Sequence, residues 1–387
     1  SDPSWSGDGR SILYLSDAGL RRIGVEDGRV EAVPVPLDWS GTVPGERWTL
    51  HAGQLFDGVG TQIRRSVDVV ISGNRIVRVV PHDASLHGGR VIDASDGVVA
   101  PGLVDMHNHV GLDGAEQGGR QWLAFGVTSV RSPATDPFEV VEARESRASG
   151  RRIGPRVFGT GNTLDGSRIY YAGAPALASG GQIELEMDLA GALGFDFVKT
   201  YVRLSDPMQR RVIDDAHALG MPVTSHELYP AVAVGVDGVE HVRGTSRRGY
   251  SPKVSELNRS YQDVVALLVS SGAAITPTVG IYGGNRLVGW ENPELFDDRR
   301  VRAFAPGAAA PDAPEDPEVL RTMVRDMASL GRRVAEEGGA VIVGTDTGPA
   351  GLSLLQEMQI LVEYGGMDEI DVLRGVTSAA ADALGYG

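Results

Sequence analysis

The chain has 387 residues, 42% of them hydrophobic and 22% charged, with a formal net charge of −15. That length suits one large α/β domain with a smaller companion. No apolar run approaches the roughly 18 residues of a membrane span, the acidic balance argues against nucleic acid, which needs a basic footprint, and the absence of cysteine excludes disulfides and thiolate ligands, so any metal must sit on His, carboxylate or modified Lys.

Residues 1–40 read as a β segment. Ile12-Leu13-Tyr14-Leu15 and the run Leu20 to Val25 are strands split by turns at Asp17-Ala18-Gly19 and Glu26-Asp27-Gly28. The stretch Pro3-Ser4-Trp5-Ser6-Gly7-Asp8-Gly9-Arg10 resembles the start of a Tol-type β-propeller repeat. One blade cannot bury its own faces, so this segment is expected to pack on the next domain or to belong to a longer protein. The start at Ser1-Asp2-Pro3 shows no signal peptide and leaves open a removed leader; the compartment, cytoplasmic or secreted, stays open with it. Residues 41–97 follow as a small β domain, with strands at Thr49 to Ala52, Val67 to Ile71 and Arg75 to Val80 and a turn at Ser72-Gly73-Asn74. The N-terminal segment as a whole is expected to build a small β-sandwich-like domain.

After Gly97 the pattern changes to strand–helix alternation. Strands are expected at 98–106, 127–131, 156–160, 196–201, 222–226, 238–242, 273–278 and 340–346, and helices at Pro207–Leu219, Tyr261–Ser270 and Val319–Glu337 among others. Eight such units predict an α/β fold in which residues 98–387 form a (β/α)8 (TIM) barrel. An open doubly wound sheet fits less well, because the nearest glycine-rich candidate, Gly159-Thr160-Gly161-Asn162-Thr163-Leu164, lacks the third glycine of a dinucleotide fingerprint. The proline- and alanine-rich segment Ala305–Glu318 is expected to be irregular, as a mobile loop or lid.

Chemistry gathers at the predicted strand ends. Directly after the apolar run Gly97 to Leu103 comes Val104-Asp105-Met106-His107-Asn108-His109. Imidazoles at i and i+2 on a strand point to the same side, so His107 and His109 make a ready pair of nitrogen ligands for one metal ion. Lys199 sits in the apolar strand Phe197-Val198-Lys199-Thr200, where a buried ammonium is costly unless paired or chemically altered. His226 ends the fifth strand, His241 the sixth and Asp346 the eighth. A barrel brings such ends to one rim, the face where active sites lie. Taken one at a time each is an ordinary polar residue at a strand end, and Gly344-Thr345-Asp346 could be a helix cap; together they predict a metal site.

That set, with Val99-Ala100-Pro101-Gly102-Leu103 and Val239-Glu240-His241, resembles the amidohydrolase superfamily from about Trp48 to the C-terminus. The likeness is to members with a binuclear centre and a carboxylated lysine, the imidazolonepropionase-like and prolidase-like branches. It implies that His107 and His109 bind a first metal and that His226 and His241 bind a second. It also implies that Lys199, as a carbamate, bridges both, and that Asp346 joins the first metal beside a bridging hydroxide and carries protons. The cofactors implied are two divalent ions, best matched by zinc. Strands that complete the small domain usually follow the last barrel helix in this family; here Ala383-Leu384-Gly385-Tyr386-Gly387 stands where they begin, so those strands are expected either to be absent or to be replaced by the N-terminal β segment.

The reaction implied is hydrolysis of an amide or peptide-type C–N bond in a small molecule or short peptide, such as a dipeptide, an N-acyl amino acid or a cyclic amide. Tyr201, Tyr229, Arg243, Arg131 and Tyr170 are candidates for substrate binding, since Arg or Tyr near metals suits a carboxylate or a developing oxyanion. Two readings compete within the superfamily, a mononuclear deaminase and a lactone or ester hydrolase. A deaminase needs no lysine at position 199. A non-catalytic binding module is the alternative of another class, and it predicts lost ligands, none of which is lost here. A homo-oligomer is compatible with everything above.

Overall fold

The computed structural model describes residues 3–386 except 17, 37, 39, 42–43, 112–114 and 245–252. Asp17 of the expected first turn lies outside the described residues, as does the start at Ser1-Asp2. Strands β1 (Ser4–Trp5), β2 (Ser11–Ser16), β3 (Gly19–Gly24) and β4 (Val30–Ala32) form an antiparallel meander in chain order. A second sheet follows, of β5 (Arg47–Leu55), β6 (Arg64–Ser72), β7 (Arg75–Pro81) and β8 (Arg90–Val99), in the order β7-β6-β5-β8. Its pairs are antiparallel except β5 with β8. Alternation along β5 and β6 turns Ala52, Leu55, Val67 and Val69 onto one buried face.

The expected strand 98–106 is two strands. β8 runs on past Gly97 to Val99, and β9 begins at Leu103 and ends at Asp105. Pro101 has no N–H for a ladder, and Gly102 passes so close to Thr128 that a Cβ there would lie 2.1 Å from its hydroxyl.

From β9 the strands pair in parallel. β10 (Val127–Ser132) lies between β9 and β11 (Arg156–Gly159). After a short pair, β12 (Asp165–Gly166) with β13 (Ala176–Leu177), comes a second parallel sheet. It runs β14 (Val198–Thr200), β15 (Val223–Ser225), β16 (Gly238–Glu240), β17 (Ala274–Thr276). Backbone hydrogen bonds join the two sheets at both edges. Asp196 N donates to Gly159 O at 3.0 Å and Leu164 N to Lys199 O at 2.8 Å on one side. On the other, Ile342 N donates to Ile275 O at 3.0 Å, and Met106 N to Val343 O at 2.9 Å. The expected strand 340–346 therefore keeps one isolated bridge, Val341 with Ile275, and otherwise meets its neighbours through separate backbone hydrogen bonds. Gly344 is the reason: the backbone of His107 lies against it, and a Cβ at 344 would sit 2.4 Å from His107 N.

The three named helices are found at Asp206–Ala218, Gln262–Ser271 and Pro317–Glu336, within two residues of expectation at each end. The last shows why. The Asp316 side chain accepts from the amides of Glu318 and Val319, and Pro317 takes the first position, where a missing N–H costs nothing. Val324, Met327, Ala328, Leu330, Gly331 and Val334 form its buried stripe. Such stripes pack with Val130, Val157, Val198, Val223, Val239, Ile275 and Val343 from the strand segments into the main core. The irregular segment expected at 305–318 ends two residues early, at Asp316. Its Ala305 and Ala308 pack on the cluster of Phe125, Val301 and Leu352, and none of it lines the cavity described below. Among the described residues no helix is long and apolar enough to cross a membrane.

Candidate metal centre

The C-terminal ends of the parallel segments open onto a cavity of about 380 Å³. His107 and His109 follow β9, Lys199 lies in β14, His226 and His241 directly follow β15 and β16, and Asp346 follows the bridging run at 341–345. All six line this one cavity, with Tyr171 and Tyr201 on its wall. The Asp346 carboxylate lies 3.1 Å from His109 Nε2, 3.7 Å from His107 Nε2 and 3.8 Å from His241 Nε2. The His107 and His241 rings are 4.6 Å apart, and those of His226 and His241 4.5 Å.

Three of the imidazoles are held from behind. His107 Nδ1 is 2.6 Å from Glu240 Oε2, His109 Nδ1 2.6 Å from Ala134 O, and His241 Nδ1 2.6 Å from Thr278 Oγ1. The carboxylate on His107 and the carbonyl on His109 accept only, so they place the proton on Nδ1 and leave the Nε2 lone pair toward the cavity, the arrangement a metal-ligating histidine needs; the Thr278 hydroxyl is able to accept from His241 in the same way. On His226 the Nδ1 is buried and has no hydrogen-bond partner among the described residues. Burial is the main force on the imidazoles: it carries His107 down to about 4, and His226 and His241 well below the ordinary histidine value. Neutral imidazoles are the ligating form. The donor set therefore fits one or more divalent ions of the zinc type.

The carboxylates are tuned in the opposite sense. Burial alone pushes the Asp346 carboxyl up, but the hydrogen bond with His109 and the charges of His107, His109 and Lys199 outweigh it and hold it below the usual range. Glu240 has no exposure, and burial opposes its charge; Arg131, Lys199 and His107 nonetheless keep it well below the ordinary value. Lys199 is 1% exposed, and burial lowers it to about 8 despite the attraction of Glu240. Asp105, fully buried, ties the first strand end to the last, accepting from Thr345 Oγ1 at 2.9 Å and from Asn108 Nδ2 at 3.2 Å.

His241, Thr278 and Asp346 share a further property, with φ of 65°, 48° and 54°. Left-handed backbone at a non-glycine residue is uncommon and costs on the order of 1–3 kcal/mol, and it clusters where function demands a fixed direction. Sequence reasoning missed Glu240 and Thr278 as supports. The signal for Glu240 was a carboxylate inside the apolar stretch Gly238-Val239-Glu240, which burial makes costly without a partner.

The residues offered for substrate binding divide. Tyr201 is buried on the cavity wall, its ring 4.4 Å from that of His226. Tyr170 stands outside the lining, edge-to-face with Tyr171 at 4.9 Å between ring centroids, and Tyr171 does line it. Tyr229 and Arg243 are exposed and do not line the cavity; Arg243 donates to Asn258 Oδ1 at 3.2 Å. Arg131 is corrected outright. It is buried, donating to Met106 O and to Glu240 Oε1 at 2.5 Å each, because β10 runs on to Ser132 and its side chain faces the interior.

No family model matches the chain. A dihydroorotase of Anaeromyxobacter dehalogenans (strain 2CP-C) is 31% identical over 184 residues, 44% of this chain and 38% of that protein, so the chain spans well under half the length of this curated relative. Among solved structures, a Xaa-Pro dipeptidase with bound methionine in its active site superposes with a TM-score of 0.66 at 21% identity, covering 88% of this chain and 89% of the other. A bottromycin amidohydrolase gives a TM-score of 0.67 at 22% identity over 88% and 78%. The chain shares the fold of these two enzymes over 88% of its length. Its cavity lies at the strand ends, where the six polar residues meet.

Proposed function

We propose that the chain is a metal-dependent amidohydrolase that cleaves an amide or peptide-type C–N bond in a small substrate, with the paired parallel sheets closed as a (β/α)8 barrel. The observation that carries this reading is the convergence of His107, His109, Lys199, His226, His241 and Asp346 on one cavity. His107 and His109 would hold one ion, His226 and His241 the other, with Lys199 as a carbamate between them and Asp346 on the first. A lysine cannot bridge two cations as an ammonium, whereas its carbamate is an anionic two-oxygen ligand; the amine held near 8 by burial is the form that reacts with carbon dioxide. Two divalent ions supply Lewis acidity toward a carbonyl and bring a water near deprotonation at neutral pH.

The chain's own residues do the rest. Asp346, ionised at neutral pH, takes the proton of the attacking water and returns it to the leaving amine. Glu240 and Thr278 keep the rings of His107 and His241 oriented. Tyr201 and Tyr171 give the cavity an aromatic wall against which a side chain or acyl group lies. The test is a screen of zinc-loaded protein against dipeptides, N-acyl amino acids, cyclic amides, lactones and nucleobases. Release of free amine from an amide is expected; turnover confined to lactones, or to deamination of nucleobases, overturns the reading.

A further inference from the structure

Four of the eight histidines are accounted for by the cavity. Of the other four, three meet around one carboxylate in the β5–β8 sheet, away from the parallel strands. We propose that His51, Asp68 and His82, with His87 on the other oxygen of Asp68, form a second binding site for a divalent transition-metal ion of the zinc type.

The placement follows from strand register. His51 on β5 stands opposite Asp68 on β6 and, on its other side, opposite Asp93 on β8. Directly opposed residues on neighbouring strands share a face, so the imidazole and the carboxylate lie side by side. β7 ends at Pro81, and the chain turns at once so that His82 and His87, flanking the short 3-10 turn Ala84–Leu86, come back over that face. His82 Nδ1 lies 2.9 Å from Asp68 Oδ1, and His87 Nε2 lies 3.0 Å from Asp68 Oδ2. His51 stacks on His82 with ring centroids 3.7 Å apart, and a ligand atom from each of His51, Asp68 and His82 falls within 4.8 Å of the others.

Metal–nitrogen and metal–oxygen bonds to zinc are about 2.0–2.2 Å, which sets neighbouring ligand atoms roughly 3–3.5 Å apart. The His82–Asp68 distance is already at the short end of that range, while His87 holds the other carboxylate oxygen. Asp68 is 1% exposed, and its Oδ2 also accepts from the Asp83 amide at 3.0 Å, which fixes the carboxylate plane as ligating carboxylates are fixed elsewhere. A salt bridge alone needs one imidazolium for this one carboxylate. Here His82 and His87 divide its two oxygens while remaining partly open to solvent, which gives an ion a route in. Imidazole and carboxylate together suit zinc, nickel or copper far better than calcium or magnesium. The site shares no residue with the cavity at the strand ends and does not depend on its chemistry.

The test is zinc content after incubation with excess Zn²⁺ and removal of free metal by gel filtration, comparing the full chain with His82→Gln/His87→Gln. The variant is expected to hold one equivalent less whatever the cavity binds. In parallel, modification of wild-type His82 and His87 by diethyl pyrocarbonate, read by peptide mass, is expected to slow several-fold when Zn²⁺ is present. Loss of one equivalent together with that protection supports the site. Equal zinc content in both proteins, or unchanged modification rates in the wild type, overturns it and leaves Asp68 as the centre of a proton-only network.

Discussion

Replacing Glu240 by Gln keeps the shape of a side chain with no exposure and removes its charge. The carboxylate faces Arg131 Nη2 at 2.5 Å, His107 Nδ1 at 2.6 Å and the Thr224 hydroxyl. Arg131 is itself buried, so the substitution leaves a guanidinium inside the protein without its counter-charge, facing the neutral groups Met106 O, Thr276 Oγ1 and the Phe197 ring. Removing one partner of a buried ion pair costs about 3–5 kcal/mol, against about 1 kcal/mol for an ordinary neutral hydrogen bond. Glu240→Gln is therefore expected to lower the unfolding free energy by about 3–5 kcal/mol in urea titrations. Arg131→Met alone strands the opposite charge and is expected to cost a similar amount. The double variant replaces the pair by neutral groups, a change that is often close to neutral, so it should be more stable than the sum of the singles by at least about 2 kcal/mol. Additive losses, or a Glu240→Gln cost below about 1 kcal/mol, would refute the claim that this buried pair is the support behind His107.

Asp346→Asn keeps an oxygen but removes the basic site, so turnover is expected to fall by about 10²–10⁴-fold while zinc content stays near that of the wild type; near-normal turnover makes Asp346 a ligand only. Lys199→Ala is expected to lose zinc and turnover together and to recover part of the turnover with millimolar acetate or propionate, and no rescue at any concentration argues against a carbamate. Glu357 is fully buried and accepts from the amides of Val279 and Gly280 at 2.8 and 2.7 Å, next to the Thr278 that orients His241; burial raises its carboxyl to about 7. Because the folded value lies above the unfolded one, the native state holds the extra proton, and stability is lost as pH rises from about 4.5 to about 7, by on the order of 3 kcal/mol. Glu357→Gln should remove that decline relative to wild type in urea midpoints measured across the range, and parallel pH profiles for the two proteins count against it.

What could be read from the sequence was whatever sat at a strand end. His107 and His109 announce themselves by i, i+2 spacing, and Lys199, His226, His241 and Asp346 by closing apolar runs; the structure brings all six to one cavity. Residues placed by loop path were not legible in the same way. Tyr229 and Arg243 lie three and two positions beyond cavity histidines, yet the chain there carries them to the surface. Arg131 was misjudged because one further residue of strand moved it from rim to interior. The supports came from far along the chain: Glu240 reaches His107 across 133 residues, and Glu357 holds Val279 across 78. No local pattern encodes such pairings. The run at 340–346 looked like a strand by its apolar residues, but Gly344 had to let another backbone pass, and the ladder reduced to one bridge, Val341 with Ile275.

Two ions in one cavity are best tested by position as well as by count. Crystals of zinc-loaded protein, with diffraction recorded on both sides of the zinc absorption edge, give both. Two anomalous peaks are expected about 3.5–4 Å apart, one against His107, His109 and Asp346, the other against His226 and His241, with density between them continuous with Lys199 Nζ. A single peak in the cavity, or none, contradicts the two-ion site.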